Sequence, residues 1–271
     1  MEPSKIQTAL DYWRERLTQS YGENHILNIT LYGSQNYKID TEFSDIDVKA
    51  IYVPSLRDAV LEPNWVSIEH HNDQNEHCEL KDIREMCKMY KKQNINFLET
   101  LFTDYRWDNP IYEDIHNRLR ENAENIAHYN SWYGIKSVCG QALNTIKQIQ
   151  SNSGWENKKM AKVIHLYLYL IKYLDGKDYK TCIEVGEDEK FLHYNARPLL
   201  LTLKAGKLPS LPTSDQHFFL NKQDGAAAML KTYFTNMSQT AQFDNDDKNI
   251  WNLLRNISYD TIMRYEEWTG I

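Results

Sequence analysis

Several things are missing from this 271-residue chain, and each absence narrows what it does. No apolar run is long enough to span a bilayer, and the opening residues Met-Glu-Pro-Ser-Lys contain no signal-peptide core. Neither membrane insertion nor secretion is therefore expected. The four cysteines, Cys78, Cys87, Cys139 and Cys182, are widely spaced and form no C-x-x-C pair. That spacing argues against a zinc site and supplies no disulfide framework, so a reducing cytoplasm is the expected setting. An excess of positive charge is also absent: the formal net charge is −7, which argues against broad charge-driven binding to nucleic acid. A local basic patch or recognition of one specific RNA end stays open. There are no internal repeats and no low-complexity tract.

What is present describes an ordinary globular chain, with 41% hydrophobic and 25% charged residues. Its length suffices for one large domain or two modest ones with real cores. The 18 tyrosines are explained by amphipathic packing.

The first half alternates strands and helices. Ile6, Leu10, Trp13 and Leu17 recur at helical spacing from an N-cap at Ser4 to about Ser20. Strands are expected at Ile26–Tyr32 and Ile46–Val53, followed by a short helix at Leu56–Leu61 after Pro54-Ser55. A further strand at Trp65–Glu69, a polar hairpin connection over 70–75, a strand at Glu76–Lys81 and a helix at Ile83–Lys92 complete this half. From about Ile111 the periodicity is helical only, over 111–127, 132–149, 159–174, 196–205, 226–236 and 249–268. Gly, Pro and Asn-Ser clusters at 151–154, 175–176, 206 and 209–212 separate these segments. The expectation is a mixed-sheet α/β (α+β) domain over 1–108 and an all-α domain over 109–271, divided at Asp108-Asn-Pro110.

The segment from Leu31 to Val53 carries the chemistry. It reads as an apolar strand, a Gly33-Ser34 turn, a short polar connection and a second strand bearing Asp45 and Asp47. Carboxylates at i and i+2 on a strand share a face. Two charges held that close repel unless a cation sits between them, and an all-oxygen donor set suits Mg²⁺ or Mn²⁺. Gly33 permits a close backbone approach, and the amides and hydroxyl that follow suit phosphate oxygens. A calcium loop also begins D-x-D, but Val48-Lys-Ala-Ile51 lacks the further oxygen ligands and the glycine it requires. A solvated turn would not run directly into Ile46, Val48, Ala50, Ile51 and Val53.

In these residues the chain resembles the nucleotidyltransferase superfamily whose best-known member is DNA polymerase beta. The tighter resemblance is to bacterial and phage nucleotidyltransferases that carry Y-G-S-x-x-Y-x-x-x-T-x-x-S-D-I-D before a strand ending Y-V-P. Tyr32, Gly33, Ser34, Tyr37, Thr41, Ser44, Asp45, Ile46, Asp47, Tyr52, Val53 and Pro54 fill that pattern. The resemblance implies transfer of an NMP from an NTP such as ATP to an acceptor hydroxyl, with release of pyrophosphate. Asp45 and Asp47 are the expected metal ligands and catalytic carboxylates. A third acid is expected on a neighbouring strand to bind the second ion and activate the acceptor. Glu79 is preferred for that role and Glu76 is the alternative, because Glu79 lies deeper in its expected strand.

Further on, Asn94-Ile-Asn-Phe-Leu-Glu99 is similar to the family's N-x-N-x-x-E, with Ile95 where proline is usual. Asn94, Asn96 and Glu99 either contact a ligand or cap the helix formed by Phe97, Leu98, Leu101 and Phe102. In the helical half, Lys158, Lys162 and His165 are spaced i, i+4 and i+7, on one helical face, as candidate triphosphate contacts. The alternative is a solvated basic face with one packed histidine. An arginine usual a few residues after this histidine in the family is replaced by Tyr167 and Leu168.

The acceptor has three candidates: an RNA or tRNA 3′ end, a small hydroxylated molecule, or a protein side chain as in AMPylation. A non-catalytic nucleotide-binding or antitoxin-like interaction module is the competing reading.

Overall fold

The computed structural model describes residues 2–42, 44–61, 66–73, 76–151, 156–207, 212–243 and 247–270. Trp65, Asn75 and the punctuating residues 152–154 and 209–211 lie outside them. The chain is mixed α/β, with a five-stranded mixed sheet and a helical C-terminal region. It divides into two compact units.

The first unit comprises residues 1–36, 44–130 and 245–271. Helix α1 (Pro3–Tyr21) opens with proline in its first turn, where a missing N–H costs nothing. Strands β1 (Ile26–Tyr32), β2 (Asp47–Tyr52), β3 (Ser67–His71), β4 (His77–Asp82) and β5 (Arg106–Asp108) form a sheet of order β3-β4-β2-β1-β5. Strands β2 and β4 run parallel, and the remaining neighbours are antiparallel. The parallel pair is bridged by α2 (Leu56–Leu61) and β3.

Period-two alternation gives this sheet two unlike faces. Ile29 and Leu31 of β1, Val48 and Ala50 of β2, and Cys78 and Leu80 of β4 pack against Ile6, Leu10, Trp13 and Leu17 of α1. Those α1 positions repeat every three to four residues, so they make one stripe that water does not reach. Each fully buried side chain of this kind contributes about 1.5–3 kcal/mol. The alternating positions Thr30, Tyr32, Asp47, Lys49, His77, Glu79 and Lys81 carry polar or charged groups on the opposite face.

Helices α3 (Ile83–Lys91), α4 (Ile95–Leu98), α5 (Glu113–Glu121), α6 (Ala123–His128) and α13 (Lys248–Thr269) complete this unit. Helix α13 is tied to the sheet by Tyr265, whose hydroxyl lies 2.8 Å from His25 Nε2. His25 in turn stacks on Tyr52 and places Nδ1 2.7 Å from the Val53 carbonyl.

The second unit comprises 37–43 and 131–244. It is built on α7 (Ser131–Ser151) and α8 (Asn157–Leu174), with α9 (Tyr179–Ile183), α10 (Ala196–Lys204), α11 (Thr213–Leu220) and α12 (Ala226–Thr240). Two departures from expectation follow. A small antiparallel hairpin, β6 (Lys190–Phe191) with β7 (Tyr194–Asn195), interrupts a region expected to be helical throughout. The compact unit that holds the sheet also extends past residue 108, taking in 109–130 and 245–271. Asn109, read as a break, instead caps the next turn by accepting from the Ile111 N–H. Its amide also donates to the Glu23 and Ile26 carbonyls, which fastens the junction to β1. No described helix is long and apolar enough to cross a membrane.

Candidate active site

The Gly33-Ser34 turn and the Asp45–Asp47 segment lie side by side because of strand register. Tyr32, the last residue of β1, pairs with Asp47, the first residue of β2. The backbone at Gly33 has φ +96°, a conformation that L side chains rarely adopt, so glycine is needed for conformation although a Cβ would meet no neighbour. Two side-chain anchors hold the turn. Gln35 donates from Nε2 to the Asp45 carbonyl at 2.8 Å, which ties the turn to the acidic segment. Glu99, fully buried, accepts the Gly33 N–H at 2.8 Å and the Asn36 amide at 3.2 Å. Asn36 then donates to the Leu31 carbonyl and accepts from the Thr103 hydroxyl at 2.9 Å.

The sequence offers Glu99 either as a ligand contact or as part of a helix start, and its position shows a third use. It anchors the glycine turn from below. The Gly33 N–H is taken up by this carboxylate, and Gln35 and Asn36 beyond the turn are buried, which leaves Ser34, its hydroxyl 3.4 Å from Gln35 Oε1, as the partly exposed residue that follows the glycine. Asn94 takes its capping alternative, accepting the Asn96 N–H at 3.0 Å at the start of α4.

The two carboxylates differ in setting. Asp45 precedes β2 and is exposed, whereas Asp47 is half-buried with Oδ1 2.7 Å from His77 Nδ1. His77 Nε2 lies 2.5 Å from the Tyr32 hydroxyl. Asp47, His77 and Tyr32 therefore lie in contact in that order, with the donor and acceptor roles of the two ring nitrogens set by the tautomer. The hydrogen bond to Asp47 raises the His77 pKa above its ordinary value, against the opposing effect of burial. Burial, followed by the Asp47 charge, raises the Tyr32 phenol and keeps it protonated.

Glu79 lies on this same face, in β4, while Glu76 lies just before that strand and is bound to Asn72. Parallel pairing sets Glu79 beside Lys49 of β2, and the two form an ion pair. Lys81 adds a second contact at 3.0 Å. Burial alone would raise the Glu79 carboxyl, but Lys49, and then Lys81, hold it below the ordinary carboxylate range. Lys49 is only 2% exposed and lies under two rings, 3.7 Å from the Tyr32 centroid and 4.8 Å from that of Phe97.

These facts bear on the expected metal centre. Asp45 and Asp47 offer the hard oxygen donors that Mg²⁺ or Mn²⁺ takes. Glu79 does not join them, since both of its oxygens are engaged by lysines. Among the described residues, no three His, Cys, Asp or Glu side chains are grouped to hold a metal ion. Asp45 lies before β2, so the shared strand face expected for the two aspartates is not formed, and Glu79, held by two lysines, does not fit an ion.

In the second unit, Lys158 and Lys162 are exposed on α8. His165 departs from their face: it is buried, stacks on Tyr37 with centroids 4.2 Å apart, and places Nε2 2.8 Å from the Ile183 carbonyl. Burial pushes its pKa down to about 4, so the ring is neutral near pH 7. It packs as a core histidine.

Sequence reasoning passed over Lys49, His77 and the anchoring role of Glu99. The first two carried a signal in the strand period, since Lys49 is two residues from Asp47 and His77 two from Glu79. No protein-family model matches the chain, and no curated protein matches its sequence.

Proposed function

We propose that this chain is a nucleotidyltransferase whose site is the sheet end formed by the Gly33-Ser34 turn, Asp45 and Asp47. One observation carries the reading: the Tyr32–Asp47 pairing sets the glycine turn beside the paired carboxylates, and Gln35 ties the two segments together. The resemblance of Tyr32–Asp47 and Tyr52-Val-Pro54 to the nucleotidyltransferase pattern supports the same conclusion.

In the proposed reaction an acceptor hydroxyl attacks the α-phosphorus of an NTP. The bond from that phosphorus to the bridging oxygen breaks, pyrophosphate leaves, and the hydroxyl proton passes to solvent. Asp45 and Asp47 would hold a divalent cation, which when bound would neutralise phosphate charge. The chain's own contribution is positional. Glu99 and Gln35 fix the turn, Ser34 offers a hydroxyl to phosphate oxygen, and His77 holds the Asp47 carboxylate in one orientation. Phosphoryl transfer gains most of its acceleration from such positioning and charge placement. With a net charge of −7, the chain suits a small acceptor or one specific RNA end better than extended nucleic acid.

A second reading has its own observation. Glu79 and the Gly33 N–H are both satisfied internally, as they would be in a nucleotide-binding module that performs no transfer. Pyrophosphate release from each of the four NTPs with Mg²⁺, alone and with total RNA, separates the two. Release that disappears in Asp47→Asn supports transfer. Saturable NTP binding without release supports the binding module.

A further inference from the structure

We infer that the charged face takes one divalent cation, and that Glu79 serves as the fixed counter-ion of Lys49 and Lys81. This rests on the nucleotidyl-transfer reading and changes its metal count from two ions to one. Lys49 stands in the middle of a five-stranded sheet, on β2 between β1 and β4, and its side chain is only 2% exposed. An ammonium removed from water in this way needs a partner with formal negative charge, and the Tyr32 and Phe97 faces supply only part of the compensation.

Carboxylates on the same face are Asp47, two residues along β2, Glu79, beside Lys49 on β4, and Glu69 of β3, opposite Glu79. Asp47 is turned to His77, and Glu69 is exposed, one strand further from Lys49 than Glu79. Glu79 is therefore the group that makes the buried lysine tolerable, and Lys81 holds its other oxygen. A metal ion bound by Glu79 would have to displace both ammonium groups and would bring two more positive charges against a lysine that cannot leave. The face already carries positive charge at the place where a third ligand was expected. Asp45 and Asp47 have no lysine partner among the described ion pairs, and Asp47 meets only His77, through one oxygen, so these two carboxylates are the ones left for one ion.

The test is Mn²⁺ binding to the full-length protein, followed by electron paramagnetic resonance, with pyrophosphate release measured on the same samples. Glu79→Gln alone strands Lys49 and risks unfolding, so the informative variant is the double Lys49→Met/Glu79→Gln, checked by circular dichroism. One Mn²⁺ per chain is expected in wild type and in the double variant. Its affinity should change by less than about tenfold, the lower end of what even groups touching a metal's ligands cause. Binding should be lost in Asp45→Asn and in Asp47→Asn. Two Mn²⁺ per chain, one of them lost in the double variant, would overturn the inference while leaving nucleotidyl transfer standing. No Mn²⁺ bound in wild type would overturn the inference too, and pyrophosphate release would then decide separately on the parent reading.

Discussion

Replacing Glu79 by glutamine should destabilise the sheet unit far more than replacing Lys49 by methionine, although both changes break the same ion pair. The difference lies in what each leaves behind. After Glu79→Gln, Lys49 stays 2% exposed with no carboxylate against it. Stranding one member of a buried pair costs about 3–5 kcal/mol. After Lys49→Met, Glu79 is still 3.0 Å from Lys81, and its side chain is 19% exposed, so water reaches it. Methionine also fills similar volume under the Tyr32 and Phe97 rings, which holds the cost to about 1 kcal/mol. The double replacement removes both charges and should recover most of the Glu79→Gln loss. Urea denaturation followed by far-ultraviolet circular dichroism reads this directly. With about 1–3 kcal/mol per molar urea, the Glu79→Gln midpoint should fall by about 1–5 M. Equal losses in the two single variants, or a Glu79→Gln loss below about 1 kcal/mol, would refute the assignment of Glu79 as the partner of a buried cation.

Three further outcomes follow. Glu99→Ala leaves the Gly33 N–H and the Asn36 amide without their acceptor and should cost about 2–4 kcal/mol in the same denaturation assay, whereas Glu99→Gln keeps one acceptor oxygen and should cost about half as much. Asp45→Ala and Asp47→Ala should abolish pyrophosphate release while each keeps the wild-type circular dichroism spectrum, because removing one of two neighbouring anions relieves repulsion. His165 has a folded pKa of about 4 against about 6.5 unfolded, so protonation favours the unfolded chain. Its contribution is complete above pH 6.5 and is lost as pH falls towards 4, by about 3 kcal/mol in all, and His165→Gln should flatten that part of the stability profile.

The parts of this structure set by local pattern were readable from the sequence. Strand β1 runs over Ile26–Tyr32 and helix α2 over Leu56–Leu61, as the apolar runs and the Pro54-Ser55 punctuation indicate. The depth of Glu79 in its strand is also readable, since β4 begins after Glu76, but its lysine partners are not. The missed elements depend on distant partners. Strand β5 is three residues long, too short to show alternation, and exists through its pairing with β1. The helical pattern over 111–127 breaks at Asn122 into α5 and α6, where spacing alone shows no gap. Nothing local to residues 247–270 shows that α13 joins the sheet unit, since that depends on Tyr265 meeting His25 some 240 positions earlier in the chain. The candidate site follows the same division. Asp45, Asp47 and Gly33 were legible from spacing, while the partners of Glu79, Asp47 and the Gly33 N–H come from neighbouring strands and from Glu99.

The most direct measurement supplies the chain with Mg²⁺ and an NTP labelled either at the α-phosphate or at the γ-phosphate, together with total RNA, a small-molecule pool or cell protein as acceptor. The account predicts that the α-label becomes attached to one acceptor class and the γ-label leaves as pyrophosphate, with both events absent in Asp47→Asn. Transfer of the γ-label to the acceptor, or release of γ-label that is undiminished in Asp47→Asn, would contradict it.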